Sequence, residues 1–200
     1  MADGLSELTG KPAYEYQAYE LLISLDLEVY KAERRIIVPA KITLKDLHKV
    51  LQSVYSWKDY HLYDFIVLDS KKHKIISRFV PYEEDLEYDE HATLMKEMTL
   101  SEIFPKHKQM MYTYDMGDNW VHRIELVKEI ENYHEESPYL LEANGQAPPE
   151  DVGGVGGFLE FRDIMLDPID PEYQSTKDWV GYWSLELNRY ESNPRVIHIR

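Results

Sequence analysis

The sequence predicts an α+β fold. A single domain should carry a mixed or antiparallel sheet covered by one amphipathic helix, with a helical C-terminal extension. Three observations point there. Apolar residues alternate with polar ones in separate segments, as in Tyr19, Leu21, Ile23 and Leu25, which is the period of a half-buried strand. Leu44, Leu47, Val50, Leu51 and Val54 instead fall on one stripe of a helix. Late in the chain, Pro148, Pro149 and four glycines at 153, 154, 156 and 157 precede a second helical stripe of Phe158, Phe161, Ile164 and Met165.

Taken in order, residues 1–13 are polar and broken by Gly4, Gly10 and Pro12, so they are expected to form a flexible arm ahead of a domain at 14–200. The first strand follows from Gln17, and a second at 34–38 ends at Pro39. Thr43 opens the clearest helix, with Asp46 three residues on as its capping partner. Residues 60–69 alternate again and place His61, Tyr63, Phe65 and Val67 on one face, with a short strand at 74–79 to pair back. The acidic stretch 81–98 lacks a period and is expected to be a solvated loop, before a helical turn at 99–104.

Residues 110–115 and 120–127 read as a hairpin closed by Met116, Gly117, Asp118 and Asn119, residue types suited to a tight turn. A polar linker is expected at 129–138, and the Pro/Gly segment should defer regular structure until a helix near Phe158. Pro168 and Pro171 stop that helix, and a last one is expected at 174–182, so the C-terminal helical part covers about 157–192.

Composition restricts function. With 44% hydrophobic residues, 200 residues suffice for one sizeable core. The 22 Lys and Arg against 37 Asp and Glu give a formal charge of −15, which repels phosphate backbones and argues against nucleic acid as a general partner. The absence of cysteine excludes disulfides, thiolate nucleophiles and sulfur-ligated zinc, so any metal must be held by His, Asp and Glu. With no basic leader and no apolar run of membrane length, the chain reads as cytoplasmic, with no membrane partner.

Three blocks resemble the plasmid-borne open-reading-frame-three-like family, named after a protein of a root-inducing plasmid and associated with mobile elements. They are ITLKDLHKVLQSVYSWKDYHLYDF at 42–65, YTYDMGDNWVHRIELVK at 112–128 and APPEDVGGVGGFLEF at 147–161. With the preceding strand pair and a tail at 185–188, the likeness spans about residues 15–190. It implies an α+β domain and no particular reaction. The chain departs from the family pattern at Glu33, where members often carry tryptophan, and at Ala147, where they often carry cysteine.

The candidate site residues come from these blocks. His61 and His122 share faces with apolar neighbours, and a buried imidazole needs hydrogen-bond partners or a metal. If loop 148–157 folds over the hairpin, His61, His122, Asp118 and Asp151 could hold a divalent Zn, Mn or Fe ion, and Asp115, Asp118, Trp120 and Glu150 could line a ligand pocket. Each of these residues also has a structural use: Asp118 can close its own turn, and Glu150 and Asp151 can cap the helix after the glycines. His48 has no acid partner in sequence and reads as structural. The glycine loop lacks the Lys-Ser or Lys-Thr of a phosphate cradle, so its glycines should serve backbone geometry and close packing against the hairpin.

The favoured reading is a binding module with a polar pocket for a small ligand, a metal or a protein segment. The alternative is a metal-dependent hydrolase with Glu150 as general base for a bound water. A third, DNA handling by a mobile-element-associated protein, is opposed by the charge.

Overall fold

The computed structural model describes residues 16–69, 74–87, 89–135, 137–181 and 194–199. The expected arm at 1–13 and the tail at 185–188 lie outside the described residues, as does the end of the C-terminal helical part beyond 181. Within them the chain is mixed α/β, with one open nine-stranded sheet and four helices. In chain order these are β1 (Tyr16–Asp26), β2 (Lys31–Pro39), α1 (Leu44–Tyr55), β3 (Tyr63–Leu68), β4 (Ile75–Val80), β5 (Ala92–Leu94), α2 (Leu100–Ile103), β6 (Gln109–Tyr114), β7 (Trp120–Tyr133), β8 (Tyr139–Asn144), α3 (Gly154–Leu166), α4 (Tyr173–Val180) and β9 (Arg195–Val196).

The sheet runs β5-β4-β3-β6-β7-β1-β2-β8-β9. Every neighbouring pair is antiparallel except β4 and β5, which are parallel. The alternation read from the sequence sets its inner face, where Leu21, Ile23, Ile36, Phe65, Tyr112 and Ile124 are fully buried. Helix α1 covers that face with Leu44, Leu47, Val50, Leu51 and Val54. Thr43 caps it by accepting the Asp46 N–H at 3.1 Å. Arg34 also points inward, and its guanidinium donates to the carbonyls of Val54, Glu33, Asn144 and Gly145 while lying over the Tyr55 ring. One buried cation thereby ties α1 to the far side of the sheet. The outer face carries polar pairs, Glu20 with Arg35 and Asp64 with Arg78.

The elements depart from expectation where sheet irregularity breaks the two-residue period. Strand β7 continues to Tyr133, through residues expected to form a linker, because β1 pairs with it through bulges near Ala18 and Glu20 that scramble the apolar alternation. Strand β8 was not foreseen: its inward residues Leu140 and Ala143 lie three apart, across a bulge opposite Arg35 and Ile36. The acidic 81–98 stretch holds a 3₁₀ turn at Glu83–Glu87 and the short β5.

Helix α3 starts at Gly154 instead of near Phe158. Its glycines are used for contact. A Cβ on Gly157 would lie 2.0 Å from the Val152 carbonyl, and one on Gly154 would lie 2.7 Å from the Asp118 carbonyl of the hairpin turn. Close packing against the hairpin therefore requires glycine at 154, which also has φ +68°, and the tight turn of the loop onto its own helix requires it at 157.

The strand directions gather one end of the sheet. The start of β3, the end of β6, the start of β7, the β1–β2 turn and the end of β8 all meet there, as the pairings Tyr63 with Tyr114, Tyr114 with Trp120 and Leu25 with His122 require. All the candidate site residues except His122 and Trp120 lie in the loops at this end.

A glycine pair separates the packing role from helix propensity. Gly157→Ala should lower stability by roughly 2 kcal/mol or more, as overpacking against backbone does. Gly156→Ala, with nothing within 4 Å of the added methyl, should raise it by roughly 0.5–1 kcal/mol. Urea denaturation of both variants checks the contrast, and equal effects would refute the packing role.

Candidate functional site

Loop 56–62 leaves α1 through two residues in the left-handed region, Ser56 at φ 61° and Asp59 at φ 59°. These reversals send successive side chains in different directions. Trp57 points inward and donates Nε1–H to the Pro148 carbonyl at 3.0 Å, while its ring stacks on Tyr114 at 5.0 Å. The Lys58 N–H donates to Glu150 Oε1 at 3.0 Å, and the Tyr60 N–H to the Tyr114 hydroxyl at 3.1 Å. Tyr114 in turn donates to Glu150 Oε1 at 2.7 Å. One hydroxyl thus joins loop 56–62, β6 and loop 145–153.

At the rim of this junction three side chains converge. His61 Nε2 lies 3.1 Å from Asp151 Oδ1 and 3.5 Å from Asp115 Oδ2. All three ligand atoms fall within 4.8 Å of one another. His61 Nε2 is shielded from solvent but meets no partner in hydrogen-bonding geometry. Asp115 is buried at φ 58° and held by its turn, where Oδ1 accepts the Gly117 N–H at 2.9 Å and its own N–H donates to the Leu62 carbonyl at 2.9 Å. Asp151 is exposed, at φ 61°. Two fixed donors and one on a surface loop leave an opening toward solvent.

The other expected site residues sit elsewhere. Loop 148–157 does fold over the hairpin, with the Gly153 N–H donating to Asp118 Oδ2 at 3.1 Å. Asp118 therefore latches the loop and is not among the three converging donors. Glu150 is a buttress whose Oε1 receives the two donors above. Trp120 is 1% exposed and stacked on Trp57, so it belongs to the core and cannot line a pocket open to solvent.

His122 differs most from expectation. It points into the sheet's inner face, fully buried among Tyr55, Trp57 and Tyr112, and is not in the rim group. Its Nδ1–H donates to the Trp120 carbonyl at 3.0 Å and leans toward the Tyr112 carbonyl at 3.3 Å, leaving Nε2 without a partner. Burial pushes the imidazole pKa down to about 3, so the ring is neutral.

His48, read as lacking an acid partner, has one. Gln52 Nε2–H donates to the Tyr112 hydroxyl, which leaves that hydroxyl to donate to His48 Nδ1 at 2.8 Å. His48 Nε2–H then faces Asp59 Oδ1 at 2.7 Å, and Gln52 Oε1 accepts the Asp59 N–H. Burial lowers the His48 pKa while Asp59 partly opposes the shift. Asp59 lies eleven positions on, across the reversals of loop 56–62, so helical spacing gave no hint of it. The unforeseen role of Tyr114 has a similar origin: its partner Glu150 is 36 residues away.

Beside Asp151 a recess of about 150 Å³ is lined by Lys58, Tyr60, Pro149, Glu150, Asp151 and the α4 residues Trp179 and Val180. Tyr60 and Trp179 are 71% and 54% exposed, with Trp179 held edge-on against Phe161.

A domain of this kind, a mixed sheet with a polar site on its loop end, matches a known family. The family model of plasmid pRiA4b ORF-3-like proteins matches residues 17–192, and the chain belongs to that family. It is similar to "Uncharacterized protein y4hQ" of Sinorhizobium fredii, 35% identical over 181 residues that cover 88% of this chain and 89% of that protein. It is also similar to the crystal structure of the protein of unknown function MM3350 from Methanosarcina mazei Go1. That likeness has 31% identity and a TM-score of 0.73, and covers 84% of this chain and 93% of the other. Among the described residues no helix is long and apolar enough to cross a membrane.

The buried neutral His122 predicts an acid sensitivity. The unfolded chain takes up its proton below its ordinary pKa of 6.5, but the folded chain does so only near 3, so stability falls as pH drops through that window. From pH 6.5 to 5 the loss should be on the order of 2 kcal/mol, from the cost of 1.36 kcal/mol per pH unit. Denaturant midpoints at several pH values measure it. A His122→Gln variant should show a shallower slope, and an unchanged slope would assign the effect to other groups.

Proposed function

We propose that this chain is a binding module whose site at the loop end of the sheet holds a divalent cation on His61 Nε2, Asp115 Oδ2 and Asp151 Oδ1. The observation that carries the reading is the convergence of one imidazole nitrogen and two carboxylate oxygens, with the nitrogen withdrawn from water and unsatisfied. Donors about 2.1 Å from a tetrahedral ion stand about 3.4 Å apart, and His61 lies 3.1 and 3.5 Å from its two neighbours. One nitrogen and two oxygens suit Zn, Mn or Fe better than Ca, which favours oxygen alone. The ligand set differs from the one the sequence suggested: Asp115 replaces Asp118, and His122 has no part.

Three protein donors leave coordination positions open, as binding or catalytic metal sites require and closed structural sites do not. A hydrolase built on this centre would need Glu150 as its base. Its Oε1 already accepts the Tyr114 hydroxyl and the Lys58 N–H, which supports a bracing role and favours binding over hydrolysis. The formal charge of −15 supports neither DNA handling nor any phosphate-backbone partner.

Elemental analysis of untagged protein purified without chelator tests the proposal. The expected result is near-stoichiometric Zn, Mn or Fe, lost in a His61→Ala, Asp115→Ala double variant and kept in Asp118→Ala. Reloading stripped protein with Mn²⁺ at about a hundred times its Kd should add about 2.7 kcal/mol of stability. Absence of uptake after reloading would leave His61 as a rim imidazole beside two aspartates and would defeat the reading.

A further inference from the structure

We infer that the recess beside Asp151 takes a small ligand made of one ring-sized apolar group and one oxyanion, with the oxyanion reaching both the Lys58 ammonium and the cation held by His61, Asp115 and Asp151. The inference rests on the cation reading above and adds the ligand class. Size sets the first limit. A volume of about 150 Å³ matches that of an engineered protein cavity, about 150 Å³, that accepts benzene. The recess therefore has room for one ring.

Its walls fit that content. Tyr60 and Trp179 come from segments far apart in the chain and both leave large aromatic surfaces exposed at one opening. Neither exposure serves the core: Tyr60 is held by its backbone N–H on Tyr114 with its ring outward, and Trp179 meets Phe161 edge-on. Paired aromatic surfaces of this kind are suited to ring stacking.

Lys58 is the group that would receive an anion. The recess also contains two carboxylates, but Glu150 is turned to the Tyr114 hydroxyl and the Lys58 N–H, and Asp151 to His61, where the proposed cation would offset its charge. Lys58 is the cation of the lining, and among the described residues it has no ion-pair partner, although acids outnumber bases 37 to 22 in the chain. Its Nζ stands 5.8 Å from the Tyr60 ring centroid, at the margin of the aromatic wall. An oxyanion there would gain the ammonium on one side and an open coordination position of the cation on the other.

Calorimetric titration of Mn²⁺-loaded full-length protein with phenyl phosphate tests this. Binding should be lost when Mn²⁺ is removed and should be about tenfold weaker in Lys58→Ala, with Mn²⁺ uptake unchanged in that variant. Trp179→Ala should weaken phenyl phosphate several-fold without altering the weaker binding of inorganic phosphate, which keeps the ring and the anion separately testable. Mn²⁺ uptake without phenyl phosphate binding would overturn the inference and leave the cation reading standing. Equal binding with and without Mn²⁺, equal affinity for inorganic and phenyl phosphate, or preferential binding of benzyltrimethylammonium would each overturn it. Failure of Mn²⁺ uptake itself would remove the cation reading on which it rests.

Discussion

The Tyr114 hydroxyl is the fixed point of the site. It ends a strand in the middle of the sheet, accepts the Tyr60 N–H and donates to Glu150, so three segments far apart in the chain share one polar atom. Trp57 reinforces the join by stacking on the Tyr114 ring and donating to Pro148. Buried hydrogen-bonding groups left unpaired each cost about 1–3 kcal/mol, so these bonds act mainly by making other loop positions expensive. The site's geometry follows from that restriction. With loops 56–62 and 145–153 pinned to β6, His61 and Asp151 stand beside Asp115.

Burial then assigns the three histidines of this region different work. His122 is enclosed by aromatic rings and kept neutral, with one nitrogen spent on a backbone carbonyl. His48 is nearly as enclosed but has a partner at each nitrogen, one of them Asp59 at the surface. His61 alone lies at the rim with two carboxylates within reach. The same side chain thus acts as a packing element, a hydrogen-bond link or a candidate ligand, according to how much water reaches it and what lies opposite.

The glycines of the 153–157 segment show how local and tertiary demands meet. Helix propensity argues against starting a helix there, yet α3 starts at Gly154. A side chain at 154 would collide with the Asp118 carbonyl of the hairpin turn and one at 157 with the Val152 carbonyl of its own loop, so these close contacts outweigh the propensity. The expected close packing on the hairpin is present at Gly154, and the expected delay of the helix is not.

The α+β class, the helix from Thr43, the strand alternation and the hairpin about 115–119 were legible because each is written in neighbours a few residues apart. Strand β8 and the outer half of β7 were not, since bulges shift the register and erase the two-residue period. Within the candidate site, the sequence marked three residues that do converge, His61, Asp115 and Asp151, but it grouped His122 and Asp118 with them. Strand alternation correctly turned His122 toward its apolar neighbours, yet how deep that face lies depends on α1 and the aromatic cluster above it. The sequence alone therefore determined which residues were available and which way the strands faced. Only the tertiary structure decided which polar atoms meet, because that depends on backbone reversals at Ser56, Asp59, Asp115 and Asp151 and on a hydroxyl shared across 36 and 54 residues of chain.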